Sequence, residues 1–397
     1  MQESDLRTDP TSPGPAWKGE GPRVSVVLPC LDEAEGVAIC IEKARHALEE
    51  MGLDYEILVV DNGSSDGSPE IASEAGARVI HERRRGYGSA YLRGFQEATG
   101  DILVMGDADD TYDFLDIPRF LAPLIDGRAT FVIGSRFAGR IEAGAMPWSH
   151  RYIGNPILSG MLRLLFSTSV SDSHCGMRAF TREAIQRMQL RTTGMEFASE
   201  MVVNALRERL AIHEIPIVYH PRKGESKLNG MSDAWRHIRF LLLFSPSYLF
   251  RLPGLLLAAL GAATMVALAG GPLEVFGRVW DHHTLLFGSL ALVLGYNLFI
   301  FDTLAKVFSV GAGFAREDRW LGVGLRIFTL ERGLLLGLGL FAFGLGLEIK
   351  ITWDWLQTGG GPLSAVRGVA IGMTSMVLGA QTAFASFLVS LLLMKHR

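Results

Sequence analysis

Residues 106–110 read Gly106-Asp107-Ala108-Asp109-Asp110 and follow the apolar run Asp101–Met105 directly. In an extended turn, residues two apart share a face, so Asp107 and Asp109 are placed to chelate one divalent cation. Mg²⁺ or Mn²⁺ held by one or two carboxylates completes its shell with substrate phosphate oxygens. Taken alone, such a pair reads first as a solvated acidic turn. A second acidic turn raises it: Asp61-Asn62-Gly63-Ser64-Ser65-Asp66-Gly67 follows another apolar run, Glu56–Val60. Two acidic strand ends in one parallel sheet converge on one crevice, where an acidic side chain reads a ribose or a base.

The elements that must position these turns alternate. Val24–Leu28 ends at Pro29 as a buried strand, and a helix is expected from about Glu35 to Met51, with Val37, Ile41, Ala44 and Leu48 at helical spacing. Glu56–Val60, Ala77–Ile80, Asp101–Met105 and Thr130–Gly134 are further strands, with helices over Pro69–Gly76 and Tyr87–Thr99. Strands alternating with helices predict an α/β domain whose sheet is mostly parallel and covered on both faces.

Charge is distributed unevenly. Of the 80 charged residues among 397, 18 fall in the last 146 positions. Apolar segments at 252–269, 285–307, 333–356 and 368–394 are each near the ~20 residues that span a bilayer. Soluble helices carry a polar face, whereas these are apolar around the circumference, so four spans are preferred over a buried soluble bundle. Asp302 and Lys306 sit one turn apart at the end of the second, placed to pair or to snorkel. Arg316, Arg319 and Arg326 in the middle connection, with Lys395 and Arg397 at the end, put that loop and both termini in the cytoplasm. Residues 233–251, including Trp235-Arg236-His237-Ile238-Arg239-Phe240, read as an amphipathic interfacial segment. The expected organisation is a disordered leader (1–21), an α/β domain (22–232), this segment, and a membrane domain (252–397). The leader has no apolar core and is not a signal peptide. A net charge of −4 gives no general reason to expect a nucleic-acid partner. Three cysteines, Cys30, Cys40 and Cys175, are too few for a disulfide framework and lack metal-ligand spacing. Reduced thiols fit best.

Several segments together carry a resemblance. Val24–Leu28 with Pro29-Cys30-Leu31-Asp32-Glu33, then Val59–Gly67, then Asp107-Ala108-Asp109 resemble glycosyltransferase family 2, whose fold is the Rossmann-like GT-A. Arg85-Gly86-Tyr87-Gly88-Ser89-Ala90, Gly134-Ser135-Arg136-Phe137, Asp172–Arg178 and Arg222–Leu228 are similar to the polyprenyl-phosphate sugar transferases, which include dolichyl-phosphate glucose and mannose synthases. The chain departs from the pattern at Asn62 (usually Asp), Asp32 (usually Asn) and Thr111, where the mannose synthases carry a metal-ligating Gln. Asp172-Ser173-His174-Cys175-Gly176 is closer to the D-T-Q-C-G of the glucose synthases, which favours UDP-glucose over GDP-mannose.

The resemblance implies inverting transfer of a hexose from a nucleotide-sugar donor to polyprenyl phosphate, at the cytoplasmic face of a bacterial-type inner or plasma membrane. It implies a donor site of Pro29, Asp32, Glu33, Asp61, Asn62, Gly86, Asp107 and Lys227, a metal held by Asp107 and Asp109, and an acceptor-phosphate site of Arg136, Arg151 and Asn155. Asp109 and Arg136 are the expected catalytic residues. A lipid phosphate is already anionic near neutral pH, so a strong general base is less necessary than for a hydroxyl acceptor. It needs cations against the diphosphate's repulsion, and guanidinium forks match phosphate oxygens bidentately. Arg151 reads equally as a surface or headgroup contact. Arg222 and Lys227 are expected to close over the donor. Arg83-Arg84-Arg85 faces a diphosphate, anionic headgroups or solvent, and Gly86 with Gly88 permits backbone approach to a phosphate. Glu200 either orients neighbouring arginines or is a helix-surface charge. His174 and Cys175 lack a second His/Cys pair, so no metal is expected there. A processive polysaccharide synthase and a catalytically silent membrane partner are the competing readings, and a homo-oligomer is left open.

Overall fold

The computed structural model describes residues 21–166, 168–224, 230–243, 245, 247–311, 322, 329–359 and 365–394. Lys227 and residues 1–20 of the expected leader lie outside these. The chain divides into two compact units, Met1–Leu243 and Phe244–Arg397.

In the first unit the apolar runs become strands β1 (Val24–Cys30), β2 (Tyr55–Asp61), β3 (Arg78–His81), β4 (Ile102–Met105), β5 (Phe131–Ile141), β6 (Arg178–Thr181) and β7 (Ile212–Tyr219). They form one sheet in the order β3-β2-β1-β4-β6-β5-β7. β6 runs antiparallel to both neighbours, and the other described pairings are parallel. β1 and β4 are apolar and almost wholly buried, as strands with helices on both sides must be.

Helix α1 (Val37–Glu50) buries Val37, Cys40, Ile41, Ala44, Ala47 and Leu48, a single stripe at helical spacing. After α2 (Ser68–Glu74), α3 (Tyr87–Glu97) buries Tyr91 and Phe95, whose rings meet Phe197 and Phe180. The unit continues with α4 (Ile117–Ile125), α5 (Asn155–Phe166), α6 (Arg182–Met188), α7 (Phe197–Arg207) and α8 (Gly230–Leu243). β5 extends well beyond the expected Thr130–Gly134. Its pairing with β7 is irregular: between Ser135 and Arg140 the partner advances only from Pro216 to Val218. Such a bulge re-aims side chains, and Arg136 lies in it.

The segment 233–251, expected as amphipathic interfacial helices, holds two described helical elements. α8 ends at Leu243 within the first unit, burying His237, Phe240 and Leu241 while Trp235 stays exposed, and a π-helical turn occupies Ser247–Arg251.

The second unit holds α9 (Leu252–Ala269), a small hairpin of β8 (Leu273–Val275) and β9 (Arg278–Trp280), α10 (His282–Gly311), α11 (Leu330–Gln357) and α12 (Val366–Met394). Among the described residues, four helices are long and apolar enough to cross a membrane. They pack as two helical hairpins built on the same device. A Cβ at Gly261 would collide with the backbone of Gly288 and Leu292, and one at Gly295 with that of Gly254 and Ala258. In the second hairpin Gly337 meets Gly379, and Gly344 meets Gly372. Glycines seven apart on each helix thus let two backbones touch, which supplies packing where lipid gives no hydrophobic drive. Ser289 to Thr374 and Tyr296 to Thr382, each 2.6 Å, tie α10 to α12. Asp302, expected to pair with Lys306 or to snorkel, is fully buried and meets Arg251 Nε at 2.7 Å.

Candidate active site

β4 ends at Met105, and the turn beyond it carries the acidic pair. The Tyr87 hydroxyl, at the start of α3, donates to Asp107 at 3.0 Å. The amide and hydroxyl of Thr111 donate to Asp109 Oδ1 at 3.1 and 2.6 Å. Thr111 thus fixes the orientation of the Asp109 carboxylate. Asp110 takes a left-handed φ of 60° and turns away to Lys43 Nζ at 2.8 Å. Burial and the neighbouring Asp109 charge push the Asp107 carboxyl up to about 7. Two hard carboxylates that repel each other at a strand end fit a divalent cation such as Mg²⁺ or Mn²⁺. Among the described residues no cluster of three or more His, Cys, Asp and Glu forms a metal cage.

The ends of β1 and β2 build the adjoining wall. β4 stops opposite Val27, so Pro29, with no N–H to give, lies where β1 borders β2. Asp61 accepts from the amides of Gly63 and Ser64 and meets His81 at 3.1 Å. Burial opposes its ionisation, but the hydrogen bonds from Ser64, His81 and Gly63 outweigh this and hold it below the usual carboxylate range. Asp32 adopts φ 54° and accepts from the Ser65 amide at 2.7 Å, while the Glu33 amide donates to Ser68.

Asn62 explains its own departure from the family pattern. Its Nδ2 donates to the carbonyls of Glu82 and Arg84, and its Oδ1 accepts from the Gly86 amide at 2.7 Å. An aspartate could not donate. Asn62 therefore shapes the loop through Arg83, Arg84 and Arg85, which are all exposed. Gly86, at φ 138°, approaches backbone as expected, but that backbone is protein: a Cβ there would strike the Thr193 carbonyl.

From the far side, the chain after β7 returns to the acids. The Lys223 amide donates to the Asp109 carbonyl at 3.0 Å, Arg222 Nη2 donates to Glu33 Oε1, and Arg222 Nε lies 3.5 Å from Asp109 Oδ2. Pro29, Asp32, Glu33, Asp61, Asn62, Gly86, Asp107 and Asp109 thus cluster at adjacent strand ends, whereas Lys227 is outside the described residues.

Arg136 is 6% exposed, and its guanidinium grips Asp172 twice, Nε to Oδ2 at 2.7 Å and Nη2 to Oδ1 at 2.8 Å. The Arg136 amide also donates to Asp172, which is itself fixed by Glu214 through its own amide. Burial works against the arginine's charge, but the adjacent Asp172 carboxylate prevails and raises its pKa well above the ordinary value. Tyr219 lies under the guanidinium, 5.2 Å from its centre. The field of Arg136 reaches Asp107 and favours its ionised form, which places cation and acids in one electrostatic site.

Arg151 and Asn155 make local contacts, Arg151 over the Tyr152 ring and Asn155 Nδ2 to Met146 Sδ at 3.5 Å. Glu200 is buried, not a surface charge, and it accepts from the amides of Arg191 and Thr192. Sequence reasoning missed the roles of Asp172, Tyr87, Tyr219 and Arg178. Arg178 is wholly buried and donates to the carbonyls of Cys175, Ala198 and Ser173, knitting together the loop that carries Asp172. An arginine beside an apolar β6 run was the available signal.

A mostly parallel α/β sheet with acidic strand ends and a buried cation at one crevice defines the Rossmann-like, nucleotide-binding class of folds. The family model for glycosyl transferase family 2 matches residues 25–188, and that for the family 2 C-terminal transmembrane region matches residues 303–393. The chain is 40% identical over 367 residues to the low-salt glycan biosynthesis hexosyltransferase Agl6 of Haloferax volcanii, covering 92% of this chain and 88% of that protein. It is 29% identical over 229 residues to a dolichol-phosphate mannosyltransferase of Pyrococcus furiosus, covering 55% and 64%. Among solved structures, glucosyl-3-phosphoglycerate synthase from Mycobacterium tuberculosis, in complex with Mn²⁺, UDP and phosphoglyceric acid, has a TM-score of 0.47 at 24% identity, over 56% of this chain and 78% of that one. The chain belongs to glycosyltransferase family 2 and carries that family's C-terminal transmembrane region.

Proposed function

We propose that the protein moves one hexose, with inversion, from a nucleotide-diphospho-sugar to polyprenyl phosphate, with UDP-glucose as the favoured donor. The catalytic unit and both termini lie on the cytoplasmic side of the four spans. The observation that carries the acceptor reading is Arg136, a buried guanidinium pinned by Asp172 through Nε and Nη2. A pre-oriented cation beside the carboxylates suits an anionic acceptor that must approach an anionic donor.

In this reading Pro29, Asp32, Glu33, Asp61 and Asn62 form the nucleotide wall, and Asp107 with Asp109 would hold Mg²⁺ or Mn²⁺ against the diphosphate. When bound, that cation offsets the charge that develops on the leaving nucleotide diphosphate. Arg222, already against Glu33 and Asp109, adds a second counter-charge on the loop that also bears Lys227. Arg136, with Arg151 and Asn155 further along, steadies the lipid phosphate while one of its oxygens attacks the anomeric carbon. The new bond forms as the bond to the diphosphate breaks on the opposite face. Because the attacking oxygen is already ionised, no side chain has to remove a proton.

A second reading keeps the site and changes the donor to GDP-mannose; it is supported by the similarity to the Pyrococcus mannosyltransferase. Membranes holding the full-length protein, given radiolabelled UDP-glucose or GDP-mannose with polyprenyl phosphate and Mn²⁺, separate the two. The account expects label from UDP-glucose in the organic phase, falling at least about a hundredfold in Asp109→Ala. Full activity in that variant would overturn the metal assignment.

A further inference from the structure

His237 of α8 reaches the loop that carries Asp172, the partner of Arg136. His237 lies on the buried side of α8, 6% exposed, while Trp235 two residues earlier is 59% exposed. The His237 ring stands edge-on to that of His174, with centroids 4.4 Å apart at 89°. Its Nδ1 is 2.8 Å from Ser199 Oγ on α7 and 3.3 Å from His174 Nε2. Ser199 Oγ also reaches His174 Nε2 at 3.1 Å, closing a triangle. On the other edge of His174, Nδ1 meets Ser173 Oγ at 2.9 Å, and Ser173 Oγ meets Ser159 Oγ of α5 at 3.2 Å.

One proton assignment satisfies these contacts with both rings neutral. Ser173 donates to His174 Nδ1, His174 Nε2–H is shared between Ser199 Oγ and His237 Nδ1, and Ser199 donates to His237 Nδ1. The network therefore joins three helices, α5, α7 and α8, to residues 173 and 174. The His174 amide in turn donates to Asp172 Oδ1 at 3.3 Å, and that same oxygen takes Arg136 Nη2. A buried hydrogen-bond network of this kind favours one geometry, and breaking it is costly.

We propose that His237 and His174 are positioning residues, a latch by which α8 sets the orientation of the Asp172–Arg136 pair for the acceptor phosphate. This rests on the reading of Arg136 as the acceptor-phosphate cation. α8 is the last helix before the first span, so the element nearest the membrane in sequence would tune the group that receives a membrane-borne phosphate. Neither imidazole touches substrate; both act through the 172–174 backbone.

The test uses full-length protein in detergent micelles with UDP-glucose, a short-chain polyprenyl phosphate and Mn²⁺. His237→Ala is expected to raise KM for the lipid phosphate about tenfold and to leave KM for UDP-glucose within about twofold, a shift of about 1.4 kcal/mol confined to one substrate. His237→Asn, whose amide can stand in for Nδ1, should restore the lipid KM to within about twofold, whereas His237→Gln should not. In an Arg136→Ala background, adding His237→Ala should change the lipid KM no further. Additive effects in the double variant, or equal loss for both substrates, would overturn the latch. Arg136→Ala without effect on the lipid KM would remove the acceptor reading itself, and a His237→Ala effect surviving there would show that the latch acts elsewhere than proposed.

Discussion

Two places in the first unit, the turn beyond β4 and the bulge within β5, treat charge in opposite ways. Beyond β4, Asp107 and Asp109 sit together with less cation than they need, and Asp107 is driven up to about 7 by burial and by its neighbour. At the β5 bulge, Arg136 is buried, and Asp172 matches it oxygen for nitrogen and its charge is fixed. The lesson is one of preorganisation. The acidic end leaves two repelling carboxylates for a cation to complete, whereas the basic end already holds its counter-charge. A site that must bring two anions together gains from having its own cation already aimed and desolvated.

The largest expected effect comes from unpicking the finished end. Asp172→Ala would leave a buried guanidinium without its partner, and loss of one member of such a pair costs about 3–5 kcal/mol. Thermal or denaturant unfolding of the purified protein should show that drop, and an unchanged midpoint would mean the pair is not buried as described. A smaller effect follows from the histidine latch. Burial, followed by the charge of Arg178, lowers His237 from 6.5 to about 4, and burial with His237 and Arg136 beside it also lowers His174 well below the ordinary value. A folded-state pKa below the unfolded one means that the unfolded chain takes up the proton first as pH falls. Stability is then intact above about 6.5 and is lost progressively down to about 4, by about 3 kcal/mol for His237 alone. Unfolding followed across that range in wild type and His237→Asn measures the difference. A wild-type slope no steeper than the variant's would contradict it.

The smallest effect tests the unfinished end. Asp107→Asn keeps an acceptor for Tyr87 and removes one of two repelling charges. With EDTA present at neutral pH it should stabilise the protein. The same variant should lose the stabilisation that Mn²⁺ gives wild type. A destabilised variant with an undiminished response to Mn²⁺ would show that the two carboxylates are not the metal's seat.

How much of this was readable beforehand follows the range of the interactions. Asp107 and Asp109 were legible because both the residue type and the strand end lie within a few neighbouring positions. The four spans were legible for the same reason, since apolarity over ~20 residues is a local property. Asp172 pairs with a residue 36 positions away, and His237 meets one 63 positions away. No spacing rule connects such partners; only the sheet order brings them together. Asp302 is a further case: Lys306 lies one turn away in sequence, but the contact at 2.7 Å comes from Arg251, 51 positions back. Asn62 and Gly86 teach a related point. Both occupy positions the family uses at its donor site, yet their own contacts are with protein backbone, because a loop must be shaped before it can bind. The hairpin of β8 and β9 escaped notice because its turn places Phe276, not a usual turn residue, at φ 52°.

The central claim is that one sugar passes to one lipid phosphate. Mass spectrometry of the organic-soluble product, made by the full-length protein from UDP-glucose and a defined polyprenyl phosphate, tests it most directly. The account predicts a single species, the lipid phosphate plus one hexose, that forms in wild type and is missing from Asp109→Ala. A ladder of added hexoses, or label found only in water-soluble or polymeric material, would contradict it.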